Sequence, residues 1–153
     1  MLPTQNFLRR IARARRDDRG AAVVEFALVV PVLFLIVFAV IDFGRALWTL
    51  NVLTSGVREG ARAGSTEATT ALAIDSAKAR TARYINGILG TSLTAANITA
   101  TYDGTTGSAT FGQIRVYITN GFTFSPVTPF ASNMGLGNLK FQPNAYYRWE
   151  RAN

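Results

Sequence analysis

The chain has 153 residues, 16 of them Lys or Arg and 9 Asp or Glu, for a formal net charge of +7; this length holds one modest domain and at most one separate segment. The absence of cysteine and histidine excludes disulfide staples, thiolate nucleophiles, Cys/His zinc sites and the commonest general base. The charge is uneven: residues 1–20 carry six arginines and two aspartates, +4 of the +7, leaving +3 beyond Gly20.

The first segment, 1–20, is a basic leader containing Arg9, Arg10, Arg13, Arg15, Arg16 and Arg19. The next, 21–41, contains one charged residue, Glu25. As a helix, 21 residues at ~1.5 Å each extend ~31 Å, which matches a hydrocarbon core of ~30 Å. A core helix in so small a chain would keep a polar face, and this stretch has none. The arginines flank its N-terminal end, so the positive-inside rule predicts a cytoplasmic N-terminus and an extracytoplasmic 42–153. An ordinary cleaved signal does not fit. The apolar run exceeds the usual ~7–15 residues, and "FGRALW" (43–48) supplies no A-x-A site.

A charge at mid-bilayer costs about 2.5–3.5 kcal/mol on insertion scales. One turn from the interface, however, Glu25 can reach headgroups or water, so it is either a tolerated interfacial glutamate or has a reason to be there. If a peptidase cuts after Gly20, Ala21 gains a cationic α-amine and Glu25 becomes the fifth residue. In a stack of staggered helices the carboxylate of one can then pair with the amine of its neighbour, each neutralising the other in a low-dielectric layer. The pair also sets the register of the stack.

Between Ile41 and Gly64 there is no proline, so the helix is predicted to continue as a stalk over 42–64. Gly56, Gly60 and Gly64 recur every four residues, on one helix face. Each costs about 0.8–1 kcal/mol relative to alanine, which calls for compensation: close approach of a partner helix or of the protein's own head, or a role for Gly60 or Gly64 in ending the helix. Glu59 and Arg62 are spaced for a local ion pair. Pro31 removes one backbone hydrogen bond inside the span.

The string "DDRGAAVVEFALVVPVLFLIVFAVIDFGRALW" (17–48), followed by "VREGARAG" (57–64), resembles the TadE-like family of minor pilins, or pseudopilins, of tight-adherence (Tad/Flp) type IV pili. The leader ending in Gly20, with Glu25 at the fifth position beyond it, is similar to a class III signal peptide. The resemblance implies cleavage by a prepilin peptidase between Gly20 and Ala21, with Glu25 and Phe26 setting subunit register. The implied partners are that peptidase, the other Tad/Flp pilins, the inner-membrane assembly platform and membrane lipid, and the implied role is cell adhesion. Phe26 stands where the major pilins resemble Glu-Tyr, which points away from a major pilin. Major Flp pilins are little more than the helix and TadG-like proteins much larger, so the size fits TadE or TadF, and "REGAR" (58–62) favours TadE.

Beyond residue 65 an α+β head of 65–153 is predicted, with no cysteine to compensate for its small core. "STEATTALAIDSAKARTARYINGILG" (65–90) reads as an amphipathic helix over 66–89 with a stripe of Ile74, Ala77, Thr81, Ile85 and Ile88, stopped by Gly90. Period-two runs at "NITATY" (97–102) and "IRVYITNGFTFS" (114–125) predict strands. Asn120-Gly121 between alternating residues signals a hairpin. A loop with Pro126 and Pro129 precedes a last strand or two in "NLKFQPNAYYRWE" (138–150), where Tyr146, Tyr147 and Trp149 near Arg148 are expected to fill a sheet face. The head is thus a small antiparallel sheet against one helix.

No catalytic constellation emerges. Glu67, Asp75, Asp103 and Glu150 are scattered, Asp103-Gly104 reads as a turn, and no phosphate-binding loop is present; no enzyme activity, cofactor or metal is expected. Two other classes are compatible with parts of the sequence. One is an uncleaved, signal-anchored extracytoplasmic binding protein. The other, nucleic-acid binding through "RRIARARRDDR" (9–19), yields to the simpler reading of that run as a topology signal.

Overall fold

The computed structural model describes residues 18–103, 112–128, 132–133 and 135–148. Of the positions singled out above, Arg9, Arg10, Arg13, Arg15, Arg16, Gly104, Pro129, Trp149 and Glu150 lie outside the described residues. The architecture is α+β: a long helix α1 (Asp18–Ser65), a second helix α2 (Thr70–Leu89), and strands β1 (Ile98–Asp103), β2 (Gln113–Ile118), β3 (Phe122–Thr123), β4 (Lys140–Phe141) and β5 (Asn144–Arg148). The chain divides into two compact units, Met1–Ile41 and Asp42–Asn153.

In the first unit, none of residues 20–41 is buried, and all but Val30 are exposed. Among the described residues α1 is the one helix long and apolar enough to cross a membrane. Pro31 lies inside it. An all-round apolar, all-round exposed helix has no protein core to face, which is the pattern of a lipid-embedded segment.

In the second unit, the pattern changes at its first residue. Asp42, Thr49, Val52, Leu53, Gly56, Val57, Gly60, Ala61, Gly64 and Ser65 form a buried stripe at helical spacing. Leu53, Val57 and Ala61 join Ala73, Ala77 and Ile85 of α2 and Ile98, Ala100, Ile114, Val116, Ile118 and Ala145 of the sheet in one core. Residues 42–64, the stalk of the sequence reading, therefore supply part of the core that the strands and α2 need.

Helix α2 starts at Thr70, four residues after the predicted start, because Thr69 caps it: the Leu72 amide donates to its hydroxyl at 3.3 Å. It ends as predicted at Gly90, whose φ of 63° is left-handed. The buried face is Ala73, Ala77, Thr81 and Ile85, so the stripe differs from the predicted one. Ile74 is partly buried at the rim of the core and Ile88 is 43% exposed. The face is chosen by close packing on α1, which selects small Ala73 over Ile74.

Three antiparallel strands form a sheet in the order β1-β2-β5. Ile98, Ala100, Ile114, Val116, Ile118 and Ala145 turn inward, the period-two pattern of a one-sided sheet. The predicted hairpin at Asn120-Gly121 is corrected in one respect. The turn exists, with φ of 62° and 74° and the Gly121 amide donating to the Ile118 carbonyl at 3.2 Å. Both edges of β2 are taken by β1 and β5, so β3 pairs instead with β4 through Phe122↔Phe141 and Thr123↔Lys140. A local turn signal cannot report which strand has already claimed the edge.

The tyrosines are also corrected: Tyr146 is 54% exposed and Tyr147 45%, so neither fills the core. Arg115 lies across the ladder from Tyr146, its guanidinium carbon 4.9 Å from the Tyr117 ring centroid and 5.4 Å from that of Tyr146. Its buried Nε has no hydrogen-bond acceptor among the described residues. The two ring faces compensate by cation–π attraction.

Candidate functional site

The residues predicted to matter lie along α1. Gly20, Ala21, Glu25 and Phe26 are all exposed, Phe26 by 69%, and a Cβ on Gly20 would meet nothing within 4 Å. Between Ala21 and Glu25 lies about one helical turn, roughly 6 Å of rise. In one chain these groups form no enclosed site.

Asp42 opens the second unit and is 4% exposed. A buried carboxylate is costly unless its lone pairs are met, and here they are. The Val127 amide donates to Oδ1 at 2.9 Å, and the Thr128 amide and hydroxyl donate to Oδ2 at 3.3 and 2.5 Å. Arg45 Nη1 lies 3.6 Å from Oδ1, and its guanidinium stands 5.7 Å from the centroid of buried Phe124. Two successive backbone amides on one carboxylate make a charge-assisted clasp that ties residues 124–128 to the helix.

Further along, Gly56, Gly60 and Gly64 form a groove occupied by α2. A Cβ on Gly60 would collide with Thr81 Oγ1 and lie 2.6 Å from the Ala77 carbonyl oxygen. One on Gly64 would lie 2.7 Å from the Ala73 carbonyl oxygen. At Gly56 the obstacle is the Ile85 side chain, 2.6 Å away. The helix continues to Ser65, so Gly60 lies well inside it. Of the uses open from sequence, close approach of the protein's own second helix is the one the geometry displays.

Glu59 fastens the same two helices from the outside. It accepts from Arg62 Nε at 3.2 Å and from Arg80 Nη2 at 3.0 Å. The Arg62 and then the Arg80 hydrogen bonds hold its carboxyl below the ordinary glutamate value. A group whose pKa falls on folding stabilises the fold above its unfolded pKa, and that contribution fades as pH drops through the lower, folded value. The clasp is therefore complete at neutral pH. Ser55, Arg58, Glu59, Arg62, Tyr84 and Tyr147 line an open cleft beside it.

Asp42 and the Arg80 partner of Glu59 were not read from the sequence as contacts. The available signal for Asp42 was a carboxylate placed directly after an apolar run. Asn86 was also missed: its side chain accepts from the Leu93 amide and the Thr91 hydroxyl and donates to the Leu93 carbonyl, at 2.9, 2.8 and 2.7 Å, fixing the exit from α2. Among the described residues no cluster of Asp and Glu could hold a metal ion.

The helix that carries the exposed apolar stretch, long enough to cross a membrane, also supplies part of the core of a small α+β unit. The family model described as TadE-like protein matches residues 20–62, the family that the sequence resembles. That span takes in Gly20, Ala21, Glu25, Asp42, Gly56, Glu59 and Gly60. No curated protein and no solved structure matches the chain.

Proposed function

We propose that the chain is a minor pilin, or pseudopilin, that serves the biogenesis of an adhesive Tad/Flp pilus and has no enzymatic activity of its own. The observation that carries this reading is the family match over 20–62, on a helix that is apolar and exposed all round from Gly20 to Ile41 apart from Glu25. In this reading the arginine leader stays in the cytoplasm, a prepilin peptidase cuts after Gly20, and the processed helix remains in the inner membrane with the Asp42–Asn153 unit outside. Ala21 and Glu25 then pair with neighbouring pilins and fix register. The glycine groove is filled by α2, so contacts with other pilins and the assembly platform fall to residues 21–41. The leader is read as a topology signal, and nucleic acid is not a partner.

The test is piliation. Deleting the gene in a strain that bears Tad pili should remove pili from the sheared surface fraction, and the full-length protein supplied in trans should restore them. Normal piliation in the deletion strain would contradict the assignment.

A further inference from the structure

The apolar surface of α1 does not stop where the uncharged run stops. On the first two turns of the second unit, Phe43 is 66% exposed, Leu47 46% and Trp48 52%. At 100° per residue these three lie about 100°, 140° and 240° round from Asp42, on the far side of the helix from it. On that side the chain returns from far away in sequence and covers the carboxylate, and the covering residue, Val127, presents a side chain that is itself 66% exposed. Exposed apolar groups thus lie both on the far side of the helix and on the strap that covers Asp42. The nearby cation, Arg45, keeps its side chain 45% exposed.

We propose that these groups form an interfacial collar, in which Phe43, Leu47, Trp48 and the Val127 strap sit in the headgroup layer of the bilayer and Asp42 is the clasp that holds the strap in place. The partner is lipid because these exposed apolar groups continue along the chain from the apolar 21–41 stretch, and because aromatic rings and an arginine at the end of a span are the side chains that favour this layer. The length agrees. Residues 21–48 as a helix measure ~42 Å, the thickness of a bilayer with its polar layers. A bare carboxylate at that depth would be disfavoured. Three donors from Val127 and Thr128 satisfy it internally, and the strap offers lipid a valine in its place. The proposal rests on the membrane-spanning reading of 21–41 and is independent of whether the leader is cleaved.

The sequence has two tryptophans, Trp48 and Trp149, so a Trp149→Phe full-length protein in phosphatidylglycerol/phosphatidylethanolamine vesicles reports on Trp48 alone. Flotation with the vesicles establishes insertion. The collar predicts blue-shifted emission and stronger quenching by lipids labelled near the headgroup than by lipids labelled deep in the chains. Floating protein with water-like, unquenched Trp48 emission overturns the collar and leaves the span intact; emission shielded from both water and lipid overturns it in favour of a protein partner, and failure to float overturns the span and the collar together. In the same vesicles Asp42→Asn should speed hydrogen exchange at the Val127 and Thr128 amides by tenfold or more, leaving β2 and α2 unchanged. Unchanged exchange at both amides would remove Asp42 as the clasp.

Discussion

Replacing Gly60 with alanine is expected to destabilise the Asp42–Asn153 unit by about 1–3 kcal/mol, the usual cost of overpacking a tight interface. The sign is the informative part. On an unoccupied helix face the same change would stabilise by about 1 kcal/mol, because alanine is the better helix former. Here the new methyl would meet Thr81 Oγ1 and the Ala77 carbonyl oxygen, and a carbonyl of a helix cannot swing aside. Gly64→Ala, which meets the Ala73 carbonyl oxygen, should behave in the same way. Gly56→Ala meets side chains alone, Ile85 at 2.6 Å and Tyr84 at 3.4 Å, and no backbone atom, so it is expected to cost less than Gly60→Ala. Pulse proteolysis of the full-length protein across a urea series in detergent micelles measures all three. Thr81→Ala in the Gly60→Ala background should recover part of the loss, since it removes one of the two obstacles. Stabilisation by Gly60→Ala would mean that α2 does not fill the groove.

Substituting Glu25 by leucine is expected to separate membrane insertion from assembly. Insertion is retained or improves, because the change removes a charge from the first turn of the span. Assembly fails, because the Ala21 amine of a neighbouring processed subunit is left without its counter-charge. Breaking a buried pair in this way costs about 3–5 kcal/mol, more than a hundredfold in association. Cleavage after Gly20 should continue, since the bond cut lies one helical turn away. The comparison to make is the yield of cross-links to other pilins from wild-type and Glu25→Leu protein extracted from membranes. Equal yields would show that Glu25 takes no part in register.

The features legible in the sequence are those set by local pattern. The apolar run of 21–41, the stop at Gly90, the alternation of β1 and β2 and the left-handed Asn120-Gly121 pair all follow from spacing and from backbone preferences within a few residues. The glycines were legible as a face, but the occupant of that face was not. Long-range contacts were less visible. Asp42 meets its donors 85 and 86 residues away, and Glu59 meets Arg80 across 21 residues; neither partner follows from spacing. The α2 stripe kept Ala77, Thr81 and Ile85 but exchanged Ile74 for Ala73 at its start, for a related reason. Hydrophobicity favoured Ile74, whereas the close approach of two helices favours Ala73. The exposed Tyr146 and Tyr147 reversed the usual expectation because Arg115 draws Tyr146 to the outer face of the sheet, while the core is completed by Ala145 and the aliphatic residues of β1 and β2.

The central claim is that the leader ends at Gly20 and that the helix begins a processed subunit at Ala21. Intact-mass and N-terminal analysis of the membrane-extracted protein, produced with and without its prepilin peptidase, tests it most directly. The pilin account predicts a new N-terminus at Ala21 only when the peptidase is present. A protein that keeps residues 1–20 under both conditions would contradict it and leave a signal-anchored extracytoplasmic binding protein as the better description.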